Sequence, residues 1–196
     1  MTEFILASAS PRRKELLGVM GLDFKIVVSN ADENSISKDI PVGLYVQEIA
    51  LLKAGASAKS VLKNKEAVVI SADTIVTLDG NILGKPSDVQ SACEMLKKLS
   101  GRSHEVYTGY CVMRISDGKT VCNSVKTRVH FKELEDEKID AYIRSGEPMD
   151  KAGAYGIQGS GAMLIQKIDG DYFNVVGLPI SALADTLEKE FDIKVF

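Results

Sequence analysis

Apolar and polar positions switch repeatedly between the strand period and the helix period along this chain. Glu3–Ala7 is an apolar run of strand length, and Phe24–Val28 is a second. Between them Leu16, Leu17 and Met20 fall on one face of a helix that starts at Pro11. A polar loop, Ser29–Ile40, precedes a long helix that Pro41 opens and that runs to about Leu62. Ala67–Ala72 is a β-branched run with Asp73 at its C-terminal end, and Ile75–Leu83 reads as a hairpin around Asp79-Gly80-Asn81. Ala92, Met95, Leu96 and Leu99 give Ser87–Leu99 a helical stripe. His104–Ile115 and Thr120–Phe131 read as strands joined at Asp117-Gly118, and Glu135–Ser145 as a helix closed by Gly146. After a glycine-rich loop, Gly153–Gly161, a strand is expected over Ala162–Ile168. A last helix from Pro179 places Ile180, Leu183, Ala184, Leu187 and Phe191 on one face. The alternation predicts an α/β fold with a mixed sheet.

Length and charge narrow the function. The 196 residues fit one large domain or two small lobes, and 45% apolar residues can build a sizeable core. A net charge of −3 disfavours a nucleic-acid binder, so any anion site must be a local basic cluster suited to a small phosphorylated ligand. No apolar stretch approaches the ~20 residues of a membrane span, and no basic segment followed by an apolar one marks a signal peptide. Cys93, Cys111 and Cys122 form no CxxC pair and read as reduced packing residues of a cytoplasmic protein.

Some residues are not explained by local structure. Ser8-Ala9-Ser10-Pro11-Arg12-Arg13 is a strand–loop–helix junction with Ser10 as N-cap and Pro11 at the first helical position. Arg12 and Arg13 sit where the helix dipole disfavours cations, a penalty that an arriving anion reverses. The junction is either a solvated basic turn or a phosphate clamp. Val42, Val46, Ile49 and Lys53 share one face of the long helix. Lys53 therefore either snorkels at the core rim or holds an ammonium towards a phosphate. Asp73, at a strand end, is either a turn residue or a carboxylate for a divalent cation or an attacking water. Glu33 is its candidate companion in the polar loop, where Asp32 could serve equally. Gly84-Lys85-Pro86 presents a lysine stiffened by its neighbours. Within Glu147–Gly159, Gln158 offers both donor and acceptor to a base edge. His104 and His130 lack zinc spacing and read as structural or surface residues. Ser8 and Ser10 lie in no G-x-S-x-G elbow, and no phosphate-binding G-x-x-x-x-G-K-[ST] loop occurs.

Taken together, Ser8–Arg13 (SASPRR), Ala72–Thr74 (ADT), Gly84–Pro86 (GKP), Glu147–Gly159 (EPMDKAGAYGIQG) and Val176–Pro179 (VGLP) resemble the Maf family of nucleoside triphosphate pyrophosphatases, in the family's order and spacing. The resemblance covers essentially the whole chain. It implies a single domain over residues 1–196, with two lobes around a mixed β-sheet and a central cleft, similar to the inosine triphosphate pyrophosphatase fold. It implies hydrolysis of a nucleoside triphosphate to the monophosphate and pyrophosphate with a divalent cation, Mg²⁺ foremost and Mn²⁺ or Co²⁺ as alternatives. Ser8, Ser10, Arg12, Lys53 and Lys85 would hold the triphosphate. Asp73 and Glu33 would bind the metal and orient water, with Asp73 the family's proton acceptor. At Arg13, Thr74 and Gln158 the chain resembles the branch acting on dTTP, UTP and the modified uridine triphosphates 5-methyl-UTP and pseudo-UTP. Dimers are common in the family. Its name reflects inhibition of septum formation, so a nucleotide-binding regulator of cell division acting through a protein partner is the alternative function.

Overall fold

A computed structural model describes residues 2–63 and 66–195. Among the described residues, seven strands and six α-helices follow in this order: β1 (Glu3–Leu6), α1 (Pro11–Val19), β2 (Phe24–Ile26), α2 (Val42–Val61), β3 (Ala67–Leu78), β4 (Asn81–Leu83), α3 (Val89–Leu99), β5 (Ser103–Arg114), β6 (Thr120–Phe131), α4 (Asp136–Arg144), β7 (Ile165–Asp169), α5 (Tyr172–Val176) and α6 (Ile180–Phe191). The strands form one sheet in the order β2-β1-β3-β5-β6-β7, with β4 beside β3. β1 runs parallel to β2 and β3, whereas β4 and β7 are antiparallel to their neighbours. The fold is the mixed α/β arrangement that the hydrophobic pattern predicts.

Two boundaries differ from that pattern by more than two residues. The run Ala67–Ala72 does not stop at Asp73: β3 continues to Leu78, and only then turns at Asp79 and Gly80, both at positive φ (51° and 78°). Ile75, Val76, Thr77 and Leu78 are buried β-formers, so the strand has reason to run on through a single acid. Asp73 therefore sits inside a strand rather than at a strand's carboxyl end. The segment Gly159–Leu164 forms a 3₁₀ turn, and β7 begins only at Ile165. The short helix α5 was not anticipated.

The chain divides into two compact units. The first comprises Met1–Asp73, Thr108–Val125 and Gly177–Phe196, and the second Thr74–Tyr107 and Lys126–Val176. In the first unit Ala50 and Ala54 of α2 pack on Ile5, Ala7, Val69 and Cys111. Small residues let the helix come close to the sheet. At Gly109 on β5 an added Cβ would stand 2.2 Å from the Val46 carbonyl oxygen of α2. The Tyr110 hydroxyl ties α6 down through the Ala182 carbonyl (3.0 Å) and Thr186 Oγ1 (2.8 Å).

In the second unit Leu96 and Leu99 of α3 and Ile139 and Tyr142 of α4 cover Val76, Val106, Val129 and Phe131. His104 belongs to this core. Its ring meets Phe131 and Tyr155 edge-on, and its Nε2 shares a 2.7 Å hydrogen bond with the Tyr155 hydroxyl. Burial pushes the His104 pKa down from 6.5 to about 4, with the nearby His130 adding to the effect. The folded state then binds fewer protons than the unfolded chain between those values. The stabilising effect is fully present above pH 6.5 and is lost as pH falls through about 4, by about 3 kcal/mol. His104→Gln should therefore flatten the acid limb of the Tm-versus-pH curve. An unchanged slope between pH 6.5 and 4 would mean that His104 is charged in the fold.

Candidate active site

The site begins where β1 hands over to α1. The Ala7 N–H donates to the Ile70 carbonyl at 2.8 Å, which fixes the end of β1 against β3 and leaves Ser8 buried at the junction. Ser10 caps α1, its Oγ accepting from the Arg13 N–H at 3.4 Å, and Pro11 opens the helix. No acid occupies the first turn of α1, so Arg12 and Arg13 sit at the positive end of the dipole with no acid of that turn beside them. Arg13 is held at several points: Nε donates to the Gly177 carbonyl at 2.8 Å and Nη1 to Ser8 Oγ at 3.3 Å. Burial lowers its pKa and the Arg12 charge adds to this, while the Asp73 and Glu33 carboxylates oppose both. Arg13 thus lies within the field of both candidate acids.

Lys53 is the hub. Val46 and Ile49 are fully buried on the α2 face that the spacing predicts, and the Lys53 side chain is 14% exposed. Its ammonium donates to Asp73 Oδ1 at 2.7 Å and pairs with Glu33 Oε1 at 3.0 Å. Asp73 is buried almost as deeply, at 15% exposure, whereas Glu33 is half exposed. An ion pair so withdrawn from water persists because each partner removes the other's uncompensated charge. The structure also separates Asp32 from Glu33. Asp32 Oδ1 accepts from the Asn34 N–H at 3.1 Å as the cap of a 3₁₀ turn, which leaves Glu33 to reach Lys53.

Tyr45, which the sequence pattern did not single out, is also tied to this group. It is buried on α2, and burial together with the Asp73 and Glu33 charges raises its pKa. Its only sequence signal was helical spacing, with Tyr45, Ile49 and Lys53 each four residues apart.

The remaining candidates belong to the second unit. Thr74 follows Asp73 on β3 and is half-buried. Lys85 is exposed in the turn after β4, with Pro86 buried beside it. The Gly84 carbonyl accepts from the Gly153 N–H at 3.0 Å, which ties the Lys85 turn to the loop bearing Gln158. That loop is pinned by Glu147. Oε2 accepts from the Ser160 N–H (3.0 Å) and hydroxyl (2.5 Å), and Oε1 from the Gly161 N–H (3.2 Å) and the Tyr142 hydroxyl (3.1 Å). Gly161 has no room for a side chain, since a Cβ would stand 2.3 Å from the Gly156 carbonyl oxygen. The structure thus groups Ser8, Ser10, Arg12, Arg13, Glu33, Lys53 and Asp73 in the first unit, and Thr74, Lys85 and Gln158 in the second.

Among the described residues no group of three or more His, Cys, Asp or Glu side chains is arranged to hold a metal ion. Asp73 and Glu33 nevertheless converge on one cation, the Lys53 ammonium. Two hard carboxylates, completed by phosphate oxygens and water, are a donor set that Mg²⁺ accepts.

This pairing of a basic helix terminus with an acid–lysine cluster can be set beside known proteins. A family model described as "Maf-like protein" matches residues 3–190. A protein from Thermoanaerobacter sp. (strain X514), named dTTP/UTP pyrophosphatase, is 51% identical over 193 residues, 98% of this chain and 99% of its own length. Another of that name from Bacillus cereus (strain ATCC 10987 / NRS 248) is 52% identical over 195 residues, 100% of this chain and 93% of its own. A solved HAM1 protein from Coxiella burnetii is 17% identical with a TM-score of 0.48, covering 84% of this chain and 81% of its own. With the family model spanning nearly every element and half the residues shared with full-length relatives, the chain belongs to the Maf family.

Proposed function

We propose that this chain hydrolyses dTTP and UTP, and base-modified relatives such as 5-methyl-UTP and pseudo-UTP, to the monophosphate and pyrophosphate. Relatives about half identical over nearly the full length carry the name dTTP/UTP pyrophosphatase. The observation that carries the reading is the Lys53 ammonium bridging Asp73 and Glu33 in the unit that also presents Arg12 and Arg13 at a helix N-terminus. A protein that only bound a nucleotide would gain nothing from two carboxylates near a polyanion, so the cluster favours catalysis over the regulator of cell division.

In this reading Ser8 and Arg12 grip phosphate oxygens, Arg12 through paired N–H donors. Lys53 keeps the Asp73 carboxylate oriented at 2.7 Å, ready to take a proton from the water that attacks the α-phosphorus in line. Lys85 adds positive charge for the departing pyrophosphate, where charge builds most in the transition state. A divalent cation, Mg²⁺ foremost, held by Asp73 and Glu33 would supply charge neutralisation on the triphosphate. Gln158 meets part of the acceptor–donor–acceptor edge of uracil or thymine, with Arg13 and Thr74 as the other specificity positions. Phosphoryl transfer asks little covalent chemistry of a protein, so positioning and charge suffice. Among the described residues no helix is long and apolar enough to cross a membrane, and the substrate in this reading is a free cytoplasmic nucleotide.

The test is pyrophosphate release across dTTP, UTP, 5-methyl-UTP, pseudo-UTP, CTP, dATP, ITP and 7-methyl-GTP, with wild type and Gln158→Ala side by side. Turnover confined to thymidine and uridine nucleotides, with selectivity flattened by about tenfold in Gln158→Ala, is the expected result. Preferred turnover of ITP or 7-methyl-GTP would overturn the assigned base while leaving the reaction. No turnover of any nucleotide would overturn both.

A further inference from the structure

Cys111 and Cys122 lie on neighbouring strands of the β5–β6 hairpin in the first unit. The Arg114 N–H donates to the Lys119 carbonyl at 2.9 Å, which makes Arg114 and Lys119 a hydrogen-bonded pair. Three residues further along each strand, Cys111 stands directly opposite Cys122. The register does not slip along the hairpin, because the Phe131 N–H meets the Arg102 carbonyl with the same residue sum. An odd step from a hydrogen-bonded pair is a non-hydrogen-bonded pair, where Cα atoms approach to about 4.5 Å and both side chains share a face. That spacing falls within the range a disulfide spans.

The burial of the two thiols differs. Cys111 is fully buried against Ala50 and Ala54 of α2, and Cys122 is half-buried at the edge of the same cluster. The two side chains share a hydrogen bond that raises the Cys111 pKa, reinforced by burial, and lowers that of Cys122. Cys122 is the more accessible and the more readily ionised of the two, and Cys111 is its neighbour in waiting. Cys93 lies on α3 in the other unit.

We propose that Cys111 and Cys122 form a redox-modification site, closing a cross-strand disulfide beneath α2 when the protein meets a peroxide. The Cys122 thiolate attacks one peroxide oxygen. The O–O bond breaks, the Cys122 sulfur is oxidised to the sulfenic acid, and one oxygen leaves as water after protonation. Cys111 then attacks the sulfenic sulfur. The S–S bond forms, the S–O bond breaks, and hydroxide departs as water with the Cys111 proton. The sum is two thiols and one hydrogen peroxide giving one disulfide and two waters. This site is independent of the nucleotide chemistry proposed above.

The full-length protein, reduced and freed of reductant, is treated with a small excess of hydrogen peroxide. Titratable thiols under denaturing conditions should fall from three to one per chain. The intact mass should drop by two hydrogens, and dithiothreitol should restore both. Peptide mapping should show a Cys111–Cys122 link, and Cys93→Ser should oxidise as the wild type does. In Cys111→Ser no intramolecular bridge should form, and Cys122 should accumulate as a sulfenic acid that dimedone traps. Retention of all three thiols, a bridge through Cys93, or oxidation of Cys122 to the sulfinic acid in wild type without bridging would each overturn the proposal.

Discussion

Asp73→Asn should lower kcat for dTTP hydrolysis by about 10²–10⁴-fold while nucleotide affinity stays within a few-fold of wild type. The amide keeps the shape of the carboxylate, so β3 has no reason to unpair. It can no longer accept a proton from water, and it removes one of the two anions that hold Lys53. Glu33 remains at 3.0 Å as the second partner, so the ammonium is not stranded and the chain should fold. Some stability will still be lost, because the pair that is broken is the more buried one. Activity is therefore to be compared well below the lower Tm, with affinity measured by calorimetry in the presence of Mg²⁺. A variant within about tenfold of wild type would remove Asp73 from the proton-transfer role. An unchanged kcat with a raised KM would make it a binding group instead.

Lys53 was legible because a lysine on the stripe of Val46 and Ile49 has no local explanation, and the structure supplies one in two carboxylates. The spacing could not say whether that ammonium meets a phosphate or an acid, since the partner lies on another element. Asp73 stood out for the wrong reason. Its place at the end of a β-branched run suggested a strand terminus, whereas β3 carries on to Leu78 because the residues after it are buried β-formers. Asp32 and Glu33 could not be told apart by sequence, as either can cap or pair; their roles follow from a 3₁₀ turn of three residues. Thr74 carries no local anomaly and was legible only through the family resemblance, whereas Lys85 in its stiffened turn and Gln158 in a glycine-rich loop stood out from the residues themselves. Tyr45 and Glu147 went unread. A tyrosine on an apolar stripe looks like core, and an acid whose partners lie 13 and 14 residues away shows no local pattern.

Glu147→Ala should release the loop that carries Gln158, raise KM for dTTP and UTP by about 10–100-fold, and narrow the preference for thymidine and uridine nucleotides. The carboxylate gathers the Ser160 N–H and hydroxyl, the Gly161 N–H and the Tyr142 hydroxyl, while the Tyr142 oxygen in turn accepts from the Gly156 N–H at 3.1 Å. Gln158 therefore lies between two stretches of backbone fixed through one side chain. Alanine leaves part-buried amides without acceptors, at about 1–3 kcal/mol each, unless the loop moves to reach water. Moving is the cheaper course for a segment rich in glycine, and that displaces Gln158. Burial alone would push the Glu147 pKa up, but the donors from Ser160, Gly161 and Tyr142 together outweigh it and hold the carboxyl below its usual range. The pin is thus fully present above the ordinary glutamate pKa and is lost as pH falls through the depressed value. Amide hydrogen exchange at Gly156, Ser160 and Gly161 reads the loop directly, apart from any activity. Faster exchange at those three amides with a raised KM and a weaker kcat effect is the expected pattern, and Glu147→Gln, which keeps one acceptor, should fall between. Unchanged exchange would show that the loop holds itself. Faster exchange with an unaltered substrate ranking would detach Gln158 from recognition of the base.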